Sequence, residues 1–472
     1  MYTVHTFQDW LAQPEDKRLD FLLSVIGCYK RSDDFKTALE AGAYFRGENT
    51  AIAQKVTMRP TKFEERDEHG DIRKVIGQEA IVGSRVASNF LFRFVTQQNQ
   101  HLLGNGVTLK DEAVKARLGI GFDKALESLG EKSLVQGVSW GFWNVDHLEA
   151  IDAAKDELSG FVALVDEETG EAGIGVQFWQ IDSCRPMYVR LFEADGVTVY
   201  RTEKNGRLEV YRAKRAYRLR VARDAAGVIV TGVENYGMLP VVPLYANTEQ
   251  RSEMTTSIKS KIDAYDRISS DFVDNLDRAN DVYWVLNNFG GSTADMVEMI
   301  EQINRLRVVA NISDGSTSST ATPSAFEVPY AARQTALDLL DKELHADYMA
   351  MSMRELTGGS LTNVAIQTAM MNLNLKCDRY EWQCFRFVQR VLALIGVDTE
   401  EISFKRQDVV NRSEVIEDIM KMRSDIDLET ALELNPYIMQ EQIAEIMDNV
   451  AAEQLSGMPS AKQLQSIVQE DE

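Results

Sequence analysis

Cysteine is scarce in this chain, with four in 472 residues, which argues against a disulfide scaffold and for a reducing compartment, the cytoplasm. Cys377 and Cys384 lie seven apart on an expected helix, hence on one face. Zinc would need two further ligands, and His345 is the only candidate nearby, so the pair reads as core thiols. No apolar run approaches the roughly 18 residues that a membrane crossing requires. The opening MYTVHTFQDWLAQPEDKR has no basic stretch followed by an apolar one, so no signal peptide is expected. Phosphate-cradling GxxxxGKS/T and strand-to-helix GxGxxG loops are missing; Gly104-Asn105-Gly106 is too short and follows a helix. There is no HExxH, and His5, His69, His101, His147 and His345 are scattered. No nucleophile is nominated together with its base. Acidic pairs such as Asp33-Asp34 and Glu64-Glu65 read as solvated faces. Catalysis therefore has no positive support, and neither a cofactor nor a metal is expected.

Positive charge is also short. Lys and Arg number 51 against 73 Asp and Glu, a formal charge of −22. A protein that grips nucleic acid through phosphates should be basic, because affinity comes from displaced counterions. This composition excludes an ordinary DNA-binding domain. It fits a solubility surface, or a surface that lets DNA pass without holding it.

What is present is a long, mixed chain with room for two to four domains. Helical spacing predicts helices within residues 1–55, the second of them capped by Asp33 or Asp34 and ending near Gly47. Residues 56–78 read as an exposed loop or hairpin, and 83–103 as helix stopped by Gly104 and Gly106. Another helix is expected over 122–136 and a strand over 138–145. Residues 160–245 alternate like strands, with Asp195-Gly196, Asn205-Gly206 and Ala226-Gly227 as turns, a meander plausible as one antiparallel sheet. Pro240 and Pro243 mark an extended crossing.

The stretch around 258–288 organises the rest. Ile258, Ile262, Tyr265, Phe272 and Leu276 recur at helical spacing, broken only by Ser269. Asp263, Asp266, Asp271, Asp274 and Asp277 fall off that line. Such a helix is expected to bury one stripe and to need a partner. Residues 282–286 then read as a strand closed by Asn287, Asn288 and Gly290-Gly291. A short helix (296–306), a strand (307–312), a polar Ser/Thr-rich run (313–325) and a last short strand (326–328) follow. The partner helix is 331–351, with Leu337, Leu340, Leu344, Tyr348 and Met351 as its stripe. A loop of Leu356, Thr357, Gly358, Gly359, Ser360, Leu361, Thr362 and Asn363 leads to a long helix over 364–395, stopped by Gly396. The tail, 398–472, holds 18 acidic and 6 basic residues and reads as helical, with helices around 409–420, 428–434 and 438–447.

This order resembles the portal proteins, or head-to-tail connectors, of tailed double-stranded DNA bacteriophages of the siphophage type. The residues that carry the resemblance are YFRGEN at 44–49, LLGNG at 102–106, LPVVPLYAN at 239–247 and KIDAYDRISSDFVDNLDRANDVYWVL at 261–286. The resemblance implies an α+β, mainly helical portal fold with long stem and wing helices, a β-meander in the wing and a small α/β clip. It implies a wing over 1–251, stem helices over 252–278 and 331–351, and a clip over 279–330. A tunnel loop over 352–365, a long wing helix over 366–397 and an acidic crown over 398–472 complete it. Subunits would contact one another through the stem residues Ile258, Ile262, Tyr265, Phe272, Leu276, Leu337, Leu340 and Leu344. The function implied is a ring of twelve at one capsid vertex, assembled in the host cytoplasm. It would pass DNA without sequence preference and dock a terminase motor, a head-completion adaptor, and capsid and scaffolding proteins, with no membrane involved. The alternative is a soluble helical scaffold or enzyme domain fused to a β-meander.

Overall fold

The computed structural model describes residues 5–53, 55–66, 72–203, 205–224, 227–279, 282–287, 320–325, 330–352, 363–398, 400–406, 412–422 and 427–433, with 443, 446 and 447. The fold is α+β, with helices and antiparallel sheets together. It divides into two units, one of residues 1–350 and 375–406, the other of 351–374 and 407–472. Among the described residues no helix is long and apolar enough to cross a membrane.

The first unit opens with helices α1 (Phe7–Ala12), α2 (Arg18–Arg31), α3 (Asp33–Phe45) and α4 (Thr50–Ala53). Ser32, not Asp33 or Asp34, caps α3: its hydroxyl accepts from the Phe35 amide at 3.2 Å. Ser32 has the extended backbone a cap requires, whereas the two aspartates already lie in the first turn, where their charge meets the positive helix end. At the far end, Gly47 has φ of 75° and lets the last turn close. Its amide reaches the Tyr44 carbonyl and that of Glu48 the Ala43 carbonyl.

A hairpin of β1 (Val56–Arg66) and β2 (Ile72–Val82) follows. Helix α5 covers only Phe90–Leu103, and residues 83–89 are neither helix nor strand, so the expected helix from 83 is shorter than its spacing suggested. Strand β3 (Val107–Leu109) and helices α6 (Glu112–Leu118) and α7 (Phe122–Gln136) lead into the β-rich part.

There, β4 (Val138–Asn144) and β5 (His147–Asp152) join β14 (Val241–Tyr245) in a three-stranded sheet. Its edge strand, β14, carries Pro243, where a missing N–H is tolerated. Strands β6 (Ala154–Asp156), β7 (Ser159–Val165), β8 (Ala172–Trp179), β9 (Tyr188–Glu193), β10 (Gly196–Thr202) and β11 (Leu208–Arg215) form a six-stranded antiparallel meander in chain order. Strands β12 (Arg218–Asp224) and β13 (Gly227–Glu234) stand as their own two-stranded sheet. The single sheet expected is thus divided into three. Tyr217 sits at the break: its hydroxyl donates to the Glu193 and Gly196 carbonyls, at 2.7 and 3.1 Å.

The main core lies between α2, α3 and the meander, where Tyr29, Phe35, Phe161 and Phe178 are buried together. The Tyr29 hydroxyl donates to the Ala153 carbonyl at 3.0 Å. A long helix, α10 (Asn363–Leu394), follows α8 (Thr256–Ala279), β15 (Val282–Asn287), β16 (Thr320–Ala325) and α9 (Tyr330–Tyr348). In the first unit it buries Cys377, Tyr380, Cys384, Phe387, Val388 and Val391. Both thiols are buried as read, and burial pushes Cys377 up to about 12, so neither is a reactive thiolate. Strand β17 (Ile402–Phe404) returns to pair with β3.

In the second unit, Ile366 and Met370 of α10 are buried with Met351 and Ala369 against them. Helices α11 (Arg412–Met422) and α12 (Leu428–Glu433) lie within the tail where helices were expected. The expected helix over 296–306, the strands over 307–312 and 326–328, and most of the helix over 438–447 lie outside the described residues. Part of the polar run is corrected: Thr320–Ala325 is a strand, paired antiparallel with Val282–Asn287.

Gly141 shows how tightly α10 sits on β4. A Cβ there would stand 2.5 Å from the Phe387 ring. We expect Gly141→Ala to destabilise the fold by about 1–3 kcal/mol through overpacking. Urea unfolding checks it, and an unchanged midpoint would show that the helix can lift without loss.

Candidate functional site

Helix α8 begins at a Thr255 cap, whose hydroxyl accepts from the Ile258 amide at 3.3 Å. Its apolar line falls where the spacing put it. Ile258 and Ile262 are buried, while Tyr265 and Phe272 are half-buried. Leu276 is 37% exposed, so cover is lost toward the far end of the helix.

One stripe does not describe this helix. A second stripe, roughly a third of the way round at 3.6 residues per turn, consists of Asp263, Asp266 and Ser270, all buried, and the half-buried Asp274. It holds the strap 83–89 by its backbone. The Ser88 amide donates to Asp266 Oδ1 at 2.9 Å, the Val86 amide to Ser270 Oγ at 3.0 Å and the Ser84 amide to Asp274 Oδ1 at 2.7 Å. The match is geometric. Four helical residues advance about 6 Å, and two extended residues advance about 6.6 Å, so alternate amides of the strap meet successive turns of the helix. The strap cannot coil into α5 while its amides are used this way.

Other groups complete the stripe. Asn49 donates to Asp266 Oδ2 and, at 3.0 Å, to the Ser88 carbonyl. Tyr44 donates to Asp263, which also pairs with Lys259 at 3.1 Å. Lys55 bridges Asp271 and Asp274, each at 2.8 Å. Burial raises the Asp266 carboxyl above its ordinary value, against the lowering effect of its hydrogen bonds from Ser88 and Asn49. YFRGEN thus supplies Tyr44 and Asn49, two of the groups that hold the organising helix.

The third face meets α9, antiparallel. Ser257 donates to Asp347 at 2.7 Å, and Lys261 pairs with Glu343 and Asp347 at 3.0 and 2.9 Å. Seventeen residues along α9 from Asp347, Tyr330 sets its ring edge-to-face on Phe272, with centroids 5.6 Å apart. Leu344 and Tyr348 are buried, Leu337 and Leu340 are half-buried, and Leu339 is 55% exposed. The start of α5 wedges in beside this pair: Phe90 touches Tyr265 and His345, and Phe94 stacks on Tyr348 at 4.8 Å.

Helix α9 ends at Tyr348, short of the expected 351. Met349 takes φ of 63°, and the amides of Met349 and Ala350 return to the Ala346 and His345 carbonyls. This is a glycine-type helix stop made by methionine. Lys376 meets the helix at this stop. Its ammonium donates to the Tyr348 carbonyl at 2.9 Å, lies 3.3 Å from the Tyr348 ring centre and pairs with Glu253 at 2.8 Å. Burial holds the Lys376 ammonium below its ordinary range in spite of Glu253.

Of the expected loop residues, Leu356, Thr357, Gly358, Gly359, Ser360, Leu361 and Thr362 lie outside the described residues, and Asn363 is the first residue of α10. Among the described residues no cluster of His, Cys, Asp and Glu could hold a metal. The arrangement offers a two-helix upright fixed to a folded base, and the paired strands β15 and β16 lie between the two helices in the chain.

Comparison with known proteins gives a family match. The model described as "Phage portal protein, SPP1 Gp6-like" matches residues 36–455. The portal protein of Clostridium phage phiCD119 is 24% identical over 174 residues, 36% of this chain and 38% of the relative. The portal protein of Bacillus phage SPP1 is 24% identical over 233 residues, 46% of this chain and 45% of the relative. The matched stretch spans less than half the length of either relative.

The strap makes two predictions. Asp266→Ala leaves buried donors of Ser88 and Asn49 unpaired and should cost about 1–3 kcal/mol for each; chemical unfolding measures it, and a loss below a few tenths would refute the clamp. The raised carboxyl also has a pH consequence. Its folded value lies above the unfolded one, about 3.9, so its contribution is full below that value and lost as pH rises through the folded value. Asp266→Asn should flatten that part of the stability curve, and a curve parallel to wild type would contradict the assignment.

Proposed function

We propose, from the premise that this chain belongs to the SPP1 Gp6-like phage portal protein family, that it is one subunit of a ring through which double-stranded DNA enters and leaves a capsid. In this reading residues 1–251 and the later part of α10 are the wing, α8 and α9 the stem, and 279–330 the clip. The tunnel loop, expected over 352–365, ends where α10 begins at Asn363, and 398–472 is the crown. Such a protein stands in the virion at the portal vertex, docks a terminase motor and later an adaptor, and has no catalysis of its own.

One observation carries the proposal. The α8–α9 pair is covered at one end, by Ile258, Ile262, Leu344 and Tyr348, and less covered beyond it, at Leu339 in the middle of α9 and at Leu276 and Tyr330 toward the far end. Apolar side chains left open beyond the base give neighbouring copies a surface to cover. Closed rings supply them through heterologous contacts, in which each copy offers two different faces. The acidic balance supports a conduit as well. Fixed negative charge repels phosphates, although screening restricts the effect to about 8–10 Å in physiological salt. Gly358 and Gly359 are residue types that permit backbone motion, and Ser360 and Thr362, with Asn363 at the start of α10, carry neutral hydrogen-bonding groups, which hold a duplex without reading its sequence.

Mass measurement of the purified protein tests the ring, with twelve copies as the expected stoichiometry; a stable monomer at high concentration in several salts would defeat the proposal. For the loop, Gly358→Pro combined with Gly359→Pro should leave rings intact while DNA packaging falls. Unchanged packaging would remove the loop's role.

A further inference from the structure

The longest helix carries a second face that its own chain leaves open. In the first unit α10 buries Cys377, Tyr380, Cys384 and Phe387. On the other side, Leu375, Arg379, Trp382 and Arg386 follow one another at spacings of four, three and four, the repeat of a single helix face. Leu375 is 47% and Trp382 59% exposed. Exposed tryptophan is uncommon, and here its ring is held in place by Phe385, stacked at 5.5 Å with 9° between planes. A pre-positioned aromatic costs little further ordering when it is covered. Trp and Arg are the residues that most often dominate protein interfaces.

The charge pattern says what covers it. Neighbouring cations on this helix and the segment after it are matched: Arg390 pairs with Glu171, and Arg406 with Asp378 and Glu381. Arg379 and Arg386 are exposed and have no carboxylate partner among the described residues. They stand out from a chain of formal charge −22. Two unpaired guanidiniums flanking an exposed indole fit an acidic surface with an apolar centre, and every further copy of this chain is strongly acidic.

We infer that Leu375, Arg379, Trp382 and Arg386 form a docking face for an acidic surface of a second copy, so that the ring closes through α10 as well as through the stem. The inference rests on the ring reading and adds a contact to it. The contact is heterologous: a basic, aromatic face on one copy meets an acidic face elsewhere on the next. Arg386 and Arg379 supply attraction that salt weakens, while Trp382 supplies burial that it does not.

The experiment follows the assembled mass of the full chain against concentration, in wild type, Trp382→Ala, Trp382→Phe and the double variant Arg379→Glu with Arg386→Glu. Circular dichroism melting of each confirms that the subunit remains folded. Wild type and Trp382→Phe should form the same ring. Trp382→Ala should need about tenfold more protein to assemble, as loss of an interface anchor does, and the charge reversal should shift assembly further at low salt than at high. Folded variants that assemble as wild type does would overturn the inference and leave the ring reading standing. So would normal rings that had lost binding to a capsid protein or to DNA, since the face would then serve another partner. A wild type that is monomeric throughout would overturn both.

Discussion

Helix α8 is placed by a match between two repeats. Side-chain oxygens at Asp266, Ser270 and Asp274 climb the helix one turn at a time, and alternate amides of the strap 83–89 meet them one for one. Each bond is buried or half-buried, and together they fix the strap, the helix and their relative register. The strap feeds directly into α5, whose Phe90 and Phe94 enter the junction of α8 with α9. If the strap slid by two residues, these rings would move with it. The aspartates of α8 thus have an internal task, which an acidic helix on a conduit would not by itself reveal.

The second anchor is Lys376. A buried ammonium at the carboxyl end of α9 meets the last carbonyl and the negative end of the helix. The same ion reaches Glu253, just ahead of the Thr255 cap of α8. One cation on α10 therefore ties the start of one upright to the end of the other. Breaking one partner of such a pair leaves a buried charge uncompensated. Between the two anchors the pair is pinned at its base.

Much of this was legible in the chain. The period of Ile258, Ile262, Tyr265, Phe272 and Leu276 located α8, and Gly47 and Gly396 marked helix ends because their backbones need positive φ. The stop at Met349 was not legible, because nothing local in methionine favours that conformation; Lys376, distant in sequence, donates to the carbonyl just before it. Residues 83–89 carried helical spacing, yet long-range hydrogen bonds to Asp266, Ser270 and Asp274 hold them out of the helix. Thr320–Ala325 looked like a polar loop, and only its pairing with Val282–Asn287 makes it a strand. In each case a tertiary contact overrode a local preference. The exposed face around Trp382 was hidden for another reason: apolar periodicity on α10 indicates which residues can be covered, not which face its own core covers.

In the proposed ring, α8 and α9 stand together as the wall of a shared axial opening. Single-particle imaging of the purified assembly tests it most directly. The expected image is a closed ring with an open axis wide enough for a duplex, with the α8–α9 pairs nearest that axis and the six-stranded meander at the periphery. A particle with no axial opening, or one with α8 and α9 enclosed at its periphery and another element lining the hole, would contradict it.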